Sequence, residues 1–135
     1  MKILVIDGQG GKIGTVMVKQ LKQSLPELKI MAIGTNSIAT ASMLKAGAEL
    51  GATGENPVKV NCSDADIIIG PLGIVLANAF LGEVTPAMAQ AVAQSPAQKI
   101  LIPVNKCRAT VAGVRELPLS EYIQLAIDQV KEIIG

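Results

Sequence analysis

The stretch Lys2-Ile-Leu-Val-Ile-Asp7-Gly-Gln-Gly-Gly-Lys-Ile-Gly14 decides how this chain is read. Its first half is a short β-branched run ending in one polar residue, the pattern of a strand buried on both faces of a parallel sheet. Its second half is a glycine turn, Gly8-Gln9-Gly10-Gly11-Lys12-Ile13-Gly14. Beyond the turn Ile13, Met17 and Leu21 recur at helical spacing as far as Pro26, which predicts an amphipathic helix over 12–25. Strand, glycine turn and helix in direct succession form a unit suited to phosphate. Gly8 permits the tight exit from the strand, Gly11 lets backbone approach a ligand without a Cβ, and Gly14 lets the helix lie close on the sheet. The unpaired N–H groups of the first helical turn, at the positive end of its dipole, then face an anion. The plainer reading is a sharp turn that needs glycine only to fold, with Lys12 a solvated side chain.

Working outward, 28–33 predicts a second strand, and Thr35 or Asn36 caps an Ala- and Met-rich helix that weakens at Gly47 and ends by Gly51. Asp66-Ile-Ile-Ile-Gly70 is a further central strand. Residues 74–81 are apolar nearly all round and predict a buried helix, a candidate contact with a second subunit. Thr85-Pro86 caps and opens a helix through Gln94, 99–104 is a strand, and Tyr122, Ile123, Ala126, Ile127, Val130 and Ile134 mark one face of a last helix starting near Pro118. This alternation predicts an α/β, Rossmann-like three-layer sandwich, a mostly parallel sheet with helices on both faces. Val58–Val60 and Thr110–Val114 lie too close to neighbouring strands for a parallel crossover, so they are expected to pair antiparallel as edge pieces or to lie outside the main sheet. No repeat or linker interrupts residues 1–135, which read as a single domain.

Ligands of such sheets sit beyond the C-terminal strand ends. The second strand ends in Gly34-Thr35-Asn36, where NAD-binding proteins usually place an acid on the ribose. The lack of one there, with Thr35, Asn36 and Ser37 as hydrogen-bonding groups, tilts the cofactor toward NADP or another nucleotide over NAD; a helix-cap role serves them equally. Gly70-Pro71-Leu72-Gly73 follows the central strand and is a candidate cover for adenine or ribose, or an ordinary turn. Asn105-Lys106-Cys107-Arg108 sets two cations around a thiol, an environment for a second anion or a surface turn. The expected nucleotide contacts are thus Gly8, Gln9, Gly10, Gly11, Lys12, Ile13, Gly14, Thr35, Asn36, Gly70, Pro71, Leu72 and Asn105. The loop Gly51–Pro57 is expected to lie away from its own subunit's ligand. Thr53, Glu55 and Asn56 would then either complete a site across a dimer or form a self-contained turn.

Composition narrows the function classes. A formal charge of +1 without basic runs argues against a nucleic-acid polymer. Phe80 and Tyr122 are the only aromatics, so the core must be aliphatic and base stacking is scarcely available. Met1–Asp7 lacks the build of a secretory signal, which places the protein in the cytoplasm with Cys62 and Cys107 reduced. The uncharged run 67–82 is short and broken by Gly70, Pro71 and Gly73, unlike a membrane span. With no His in the chain, His-based triads and imidazole metal sites are excluded and no metal is expected. Asp7, Asp64, Asp66 and Glu55 remain as acids or bases, Asp7 foremost because it adjoins the glycine turn; spacing alone assigns none of them a catalytic role.

The turn Asp7-Gly-Gln-Gly-Gly-Lys-Ile-Gly14 resembles the G-x-x-G-x-x-G cofactor turn of extended short-chain dehydrogenases and epimerases, over the first strand, turn and helix. The Tyr-x-x-x-Lys pair of that family is missing, because Ala126 stands four residues after Tyr122. A likeness over nearly the whole chain, through IDGQGGKIG, IGTN, GATGEN, DIIIGPLGIV, GEVTPAMA and ILIPVNKC, is to a short bacterial family, domain of unknown function thirty-eight forty-two. It implies a complete chain and no catalytic residues. Three readings follow: a homo-oligomeric module binding a dinucleotide such as NADP; a small enzyme on a phosphorylated or nucleotide substrate at a dimer interface, using Asp7, Glu55 or Cys107; or a structural subunit docking through 74–81 with no ligand.

Overall fold

A computed structural model describes residues 1–104 and 108–135. Five strands, β1 (Ile3–Asp7), β2 (Ile30–Gly34), β3 (Leu50–Thr53), β4 (Ile67–Pro71) and β5 (Gln98–Ile102), form one sheet in the order β3-β2-β1-β4-β5. Every pairing is parallel, with Asp7 beside Gly34, Gly34 beside Thr53 and Pro71 beside Ile102. Five helices connect and cover the strands: α1 (Lys12–Ser24), α2 (Ser37–Lys45), α3 (Glu55–Cys62), α4 (Pro86–Gln94) and α5 (Leu119–Ile134).

The alternation of strand side chains sorts the core into two layers. Ile3, Val5, Ile67 and Ile69 pack with Ile13, Met17 and Leu21 of α1, Met43 of α2 and Ile123 and Ile127 of α5. Leu4, Ile6, Ile33 and Ile68 face the other way, onto Val58 and Cys62 of α3 and Met88 and Val92 of α4. The expected three-layer α/β sandwich is therefore the observed one. Among the described residues no helix is long and apolar enough to cross a membrane.

The chain runs outward from β1 to β2 and β3, then returns past β1 to β4 and β5. The strand order reverses between β1 and β4, and that switch opens the crevice where such sheets take ligands.

The structure settles four expectations. Of the two alternatives for the short pieces, antiparallel pairing is not the observed one and both lie outside the sheet: Val58–Val60 is inside α3, where Val58 and Cys62 are buried four residues apart, a helical spacing that the β-branched pair hid. Thr110–Val114 forms no strand; it is largely exposed and turns through Gly113 at φ +85°. The helix after Asn36 stops at Lys45, and Leu50–Thr53 is an edge strand instead of a helix end and loop. Its mostly exposed Leu-Gly-Ala-Thr carries little strand signal. Finally, 74–81 is not a helix. A short 3-10 turn covers Leu72–Val75, and Asn78, Phe80 and Leu81 all take left-handed backbone, with Ala79 and Phe80 buried and Leu81 fully outside.

Candidate functional site

At the end of β1 the Asp7 side chain turns back under the glycine turn. Its Oδ1 accepts the Gly8 N–H at 2.8 Å and its Oδ2 the Gly14 N–H at 2.7 Å. The carboxylate is 4% exposed, and burial pushes its pKa above the ordinary 3.8 even though the N–H groups of Gly14 and Gly8 favour the anion. Asp7 thus serves as an internal acceptor at the start of α1, both oxygens engaged by backbone. That geometry has it holding the turn.

The three outer glycines of the turn are required by packing. A Cβ on Gly14 would stand 2.5 Å from Met43 Sδ and 2.9 Å from Asp7 Cβ, so helix and strand do meet closely there. Gly8 touches Thr35 and the Phe80 ring in the same way. Gly11 departs from its expected role: it has φ +74°, and its missing Cβ would face the Ala39 backbone of α2 at 2.9 Å, not a ligand. Gly10 differs from all three, with ordinary φ and nothing within 4 Å of an added Cβ. The N–H groups of Gly10 and Lys12 take no acceptor among the described residues. Gln9, between Gly8 and Gly10, is itself left-handed at φ +50°.

A second carboxylate reaches the turn from the loop joining β4 to α4. Glu83 Oε1 accepts from the Gln9 N–H at 2.7 Å, the Thr35 hydroxyl at 2.7 Å and the Asn36 side-chain amide at 2.8 Å. Partial burial alone would raise its pKa, but these three donors outweigh it and hold the group below its ordinary 4.5. Asn36 Nδ2 also donates to the Gln9 carbonyl at 2.8 Å, and its Oδ1 caps α2 by accepting from Ala39 N–H. Gln9 is held from both sides, which is what keeps a non-glycine residue in this backbone region.

A carboxylate thus stands beside the end of β2 in space although none stands in that stretch of sequence. No local pattern around Gly82-Glu83 discloses this, since it depends on the left-handed path of 78–82.

Asp7, Gly8, Gln9, Gly10, Gly11, Lys12, Ile13 and Phe80 enclose a hollow of about 90 Å³, room for one phosphate-sized group. Lys12 is exposed beside it. Thr35 and Asn36 join the site through Glu83. Gly70, Pro71 and Leu72 do not line that hollow: the first two are buried in β4, where a Cβ on Gly70 would run into the Ile6 carbonyl, and Leu72 starts the 3-10 turn beyond. Asn105, with Lys106 and Cys107, lies outside the described residues.

Because β3 runs parallel to β2, Thr53 and Glu55 return to the site end of the sheet, against expectation. Thr53 Oγ1 meets Thr40 Oγ1 at 2.8 Å, and Glu55 accepts from the Thr85 hydroxyl at 2.7 Å, so both find partners within their own chain. Among the described residues no three His, Cys, Asp or Glu side chains gather as metal ligands. The Thr15 hydroxyl, next to Gly14 in α1, is buried without a hydrogen-bond partner among the described residues.

Fold and turn together define a doubly wound α/β domain with a glycine turn at its topological switch. Residues 2–135 match the family described as Domain of unknown function (DUF3842), and the chain belongs to that family. No curated protein matches it. Among solved structures it is similar to a dodecameric FMN-dependent UbiX-like decarboxylase from Escherichia coli O157:H7, with 15% identity, a TM-score of 0.47, and 97% of this chain and 76% of that one covered.

Proposed function

We propose that this chain is a nucleotide-binding protein that takes a dinucleotide of the NAD or NADP kind, with one phosphate in the hollow at the Gly8–Gly14 turn. The observation that carries the reading is Gly10. Gly8, Gly11 and Gly14 are explained by packing or backbone angle, whereas Gly10 is demanded by neither and leaves open space over the turn. A bare backbone there lets a phosphate reach the N–H groups of Gly10 and Lys12 at the positive end of α1. The Lys12 side chain adds a cation at the rim, which offsets repulsion from Asp7 and Glu83. A hollow of about 90 Å³ accepts a phosphate and leaves the nucleoside outside it, over Gly10 and the first turn of α2.

A bound nicotinamide group would supply hydride chemistry. This chain's own part is to bind and orient: Asp7 and Glu83 both hold the turn, so binding is the role proposed for them.

The test is thermal unfolding with NAD, NADP, FAD, ATP, GTP, coenzyme A and sugar nucleotides, repeated with Gly10→Asp. At a hundredfold excess over Kd a ligand stabilises by about 2.7 kcal/mol. The expected result is one specific stabiliser whose effect disappears in Gly10→Asp while the variant's own melting temperature stays near wild type. No stabilisation of wild type at millimolar concentrations sinks the reading.

A further inference from the structure

We propose that Glu83 selects among nucleotides by receiving the 2′,3′-diol of an unphosphorylated ribose, so that this protein prefers NAD-like ligands over their 2′-phosphorylated counterparts. The inference rests on the nucleotide reading above and deepens it.

Its first support is location. Glu83 Oε1 is held by the Gln9 N–H of the β1–α1 turn and by Thr35 and Asn36 of the β2–α2 turn. The carboxylate therefore bridges the two strand ends between which the ribose of a dinucleotide lies when its phosphate sits on the glycine turn. Its second support is capacity. All three donors go to Oε1, and Oε2 takes no donor among the described residues. A vicinal diol offers two O–H donors to a carboxylate with a free oxygen, and such charge-assisted hydrogen bonds are about twice as strong as neutral ones.

Its third support is charge. A 2′-phosphate at this position would meet the Glu83 carboxylate and, behind the turn, Asp7. The β2–α2 turn, Gly34-Thr35-Asn36-Ser37-Ile38, carries no Lys or Arg to receive it. The role usually filled by an acid ending β2 is filled here from the β4–α4 loop, with Thr35 and Asn36 as positioning residues.

The experiment is calorimetric titration of wild type, Glu83→Gln and Gly10→Asp with NAD, NADP and 2′-deoxy-NAD. Wild type should bind NAD about tenfold or more tighter than NADP, and lose about tenfold on removal of the 2′-hydroxyl. Glu83→Gln should narrow the NAD/NADP ratio to about threefold or less, mainly by binding NADP better, a gain that mere loosening of the loop would not produce. Gly10→Asp should lose both ligands. If wild type binds NADP as tightly as NAD, or if 2′-deoxy-NAD binds undiminished, while Gly10→Asp still abolishes binding, the diol role is wrong and the phosphate site stands. If wild type binds none of the three, the nucleotide reading falls and this inference with it.

Discussion

Gly10 and Gly11 are neighbours with opposite reasons for being glycine, and the difference is measurable. Gly11→Ala puts a Cβ 2.9 Å from the Ala39 backbone at a left-handed φ, and should cost about 2–4 kcal/mol in urea unfolding. Gly10→Ala should stay within about 0.5 kcal/mol of wild type, because nothing stands near its Cβ. A large loss at Gly10 would mean that the fold, too, requires it. Glu83 supplies the pH dependence at this scale. Its folded pKa lies below the ordinary 4.5, so its contribution is present above the unfolded value and is lost as pH falls through the folded one. The Gln9 amide resonance should therefore titrate with a midpoint below 4.5, and the transition should vanish in Glu83→Gln. The sequence displayed the glycine turn because glycine spacing is a local signal. It hid Glu83, which acts on Gln9 across 74 positions of chain, and it gave Gly11 an open, ligand-facing place although its missing Cβ faces Ala39 and the open space lies at Gly10.

The loop between β4 and α4 spends backbone energy to reach the site. Asn78, Phe80 and Leu81 are left-handed at φ +66°, +58° and +56°, and Leu81 is 98% exposed, so its side chain returns nothing. Such a residue costs about 1–2 kcal/mol. Leu81→Gly should raise stability by about 0.5–1 kcal/mol in thermal or urea unfolding, the reverse of the usual effect of glycine; a loss would show that Leu81 is covered in solution. This loop is also where sequence periodicity failed. An apolar run reads as a buried helix, yet Ile74, Ala79 and Phe80 are buried by a path that a 3.6-residue period does not describe. Edge strand β3 was missed for a different reason. Its pairing with β2 is made by backbone groups, which leave little trace in side-chain pattern. At α5 the pattern was sufficient, since its buried face alone marks the helix. Tyr122 adds a tie: its hydroxyl donates to the Arg115 carbonyl at 2.6 Å and accepts the Leu117 N–H at 3.2 Å. Tyr122→Phe should keep the fold and cost about 1–2 kcal/mol by urea unfolding.

On the scale of the molecule, the two core layers meet across a sheet whose central strand is buried on both faces. Cys62 sits in the α3–α4 layer, 1% exposed, and burial pushes its thiol up to about 11 despite the nearby charges of Lys2 and Lys99. At pH 8 only about a thousandth of it is thiolate, so alkylation of Cys62, followed by peptide mass mapping, should track opening of that layer. Rapid labelling of Cys62 under native conditions would contradict the packing described. The overall architecture was legible because alternating strands and helices leave few ways to cover a parallel sheet. Strand order, and with it the crevice between β1 and β4, came only from the three-dimensional pairing.

The glycine turn is locked to α2 through Ala39 and Met43, while Phe80 and Glu83 meet it from a strained loop. One wall of the hollow is a glycine turn packed on a helix, and the other is a loop on strained backbone. If the proposed nucleotide enters only when that loop gives way, its association should be gated: in stopped-flow traces the observed rate would climb with ligand concentration and level off at the loop's own opening rate. That plateau should be the same for every nucleotide that binds, because it belongs to the protein alone.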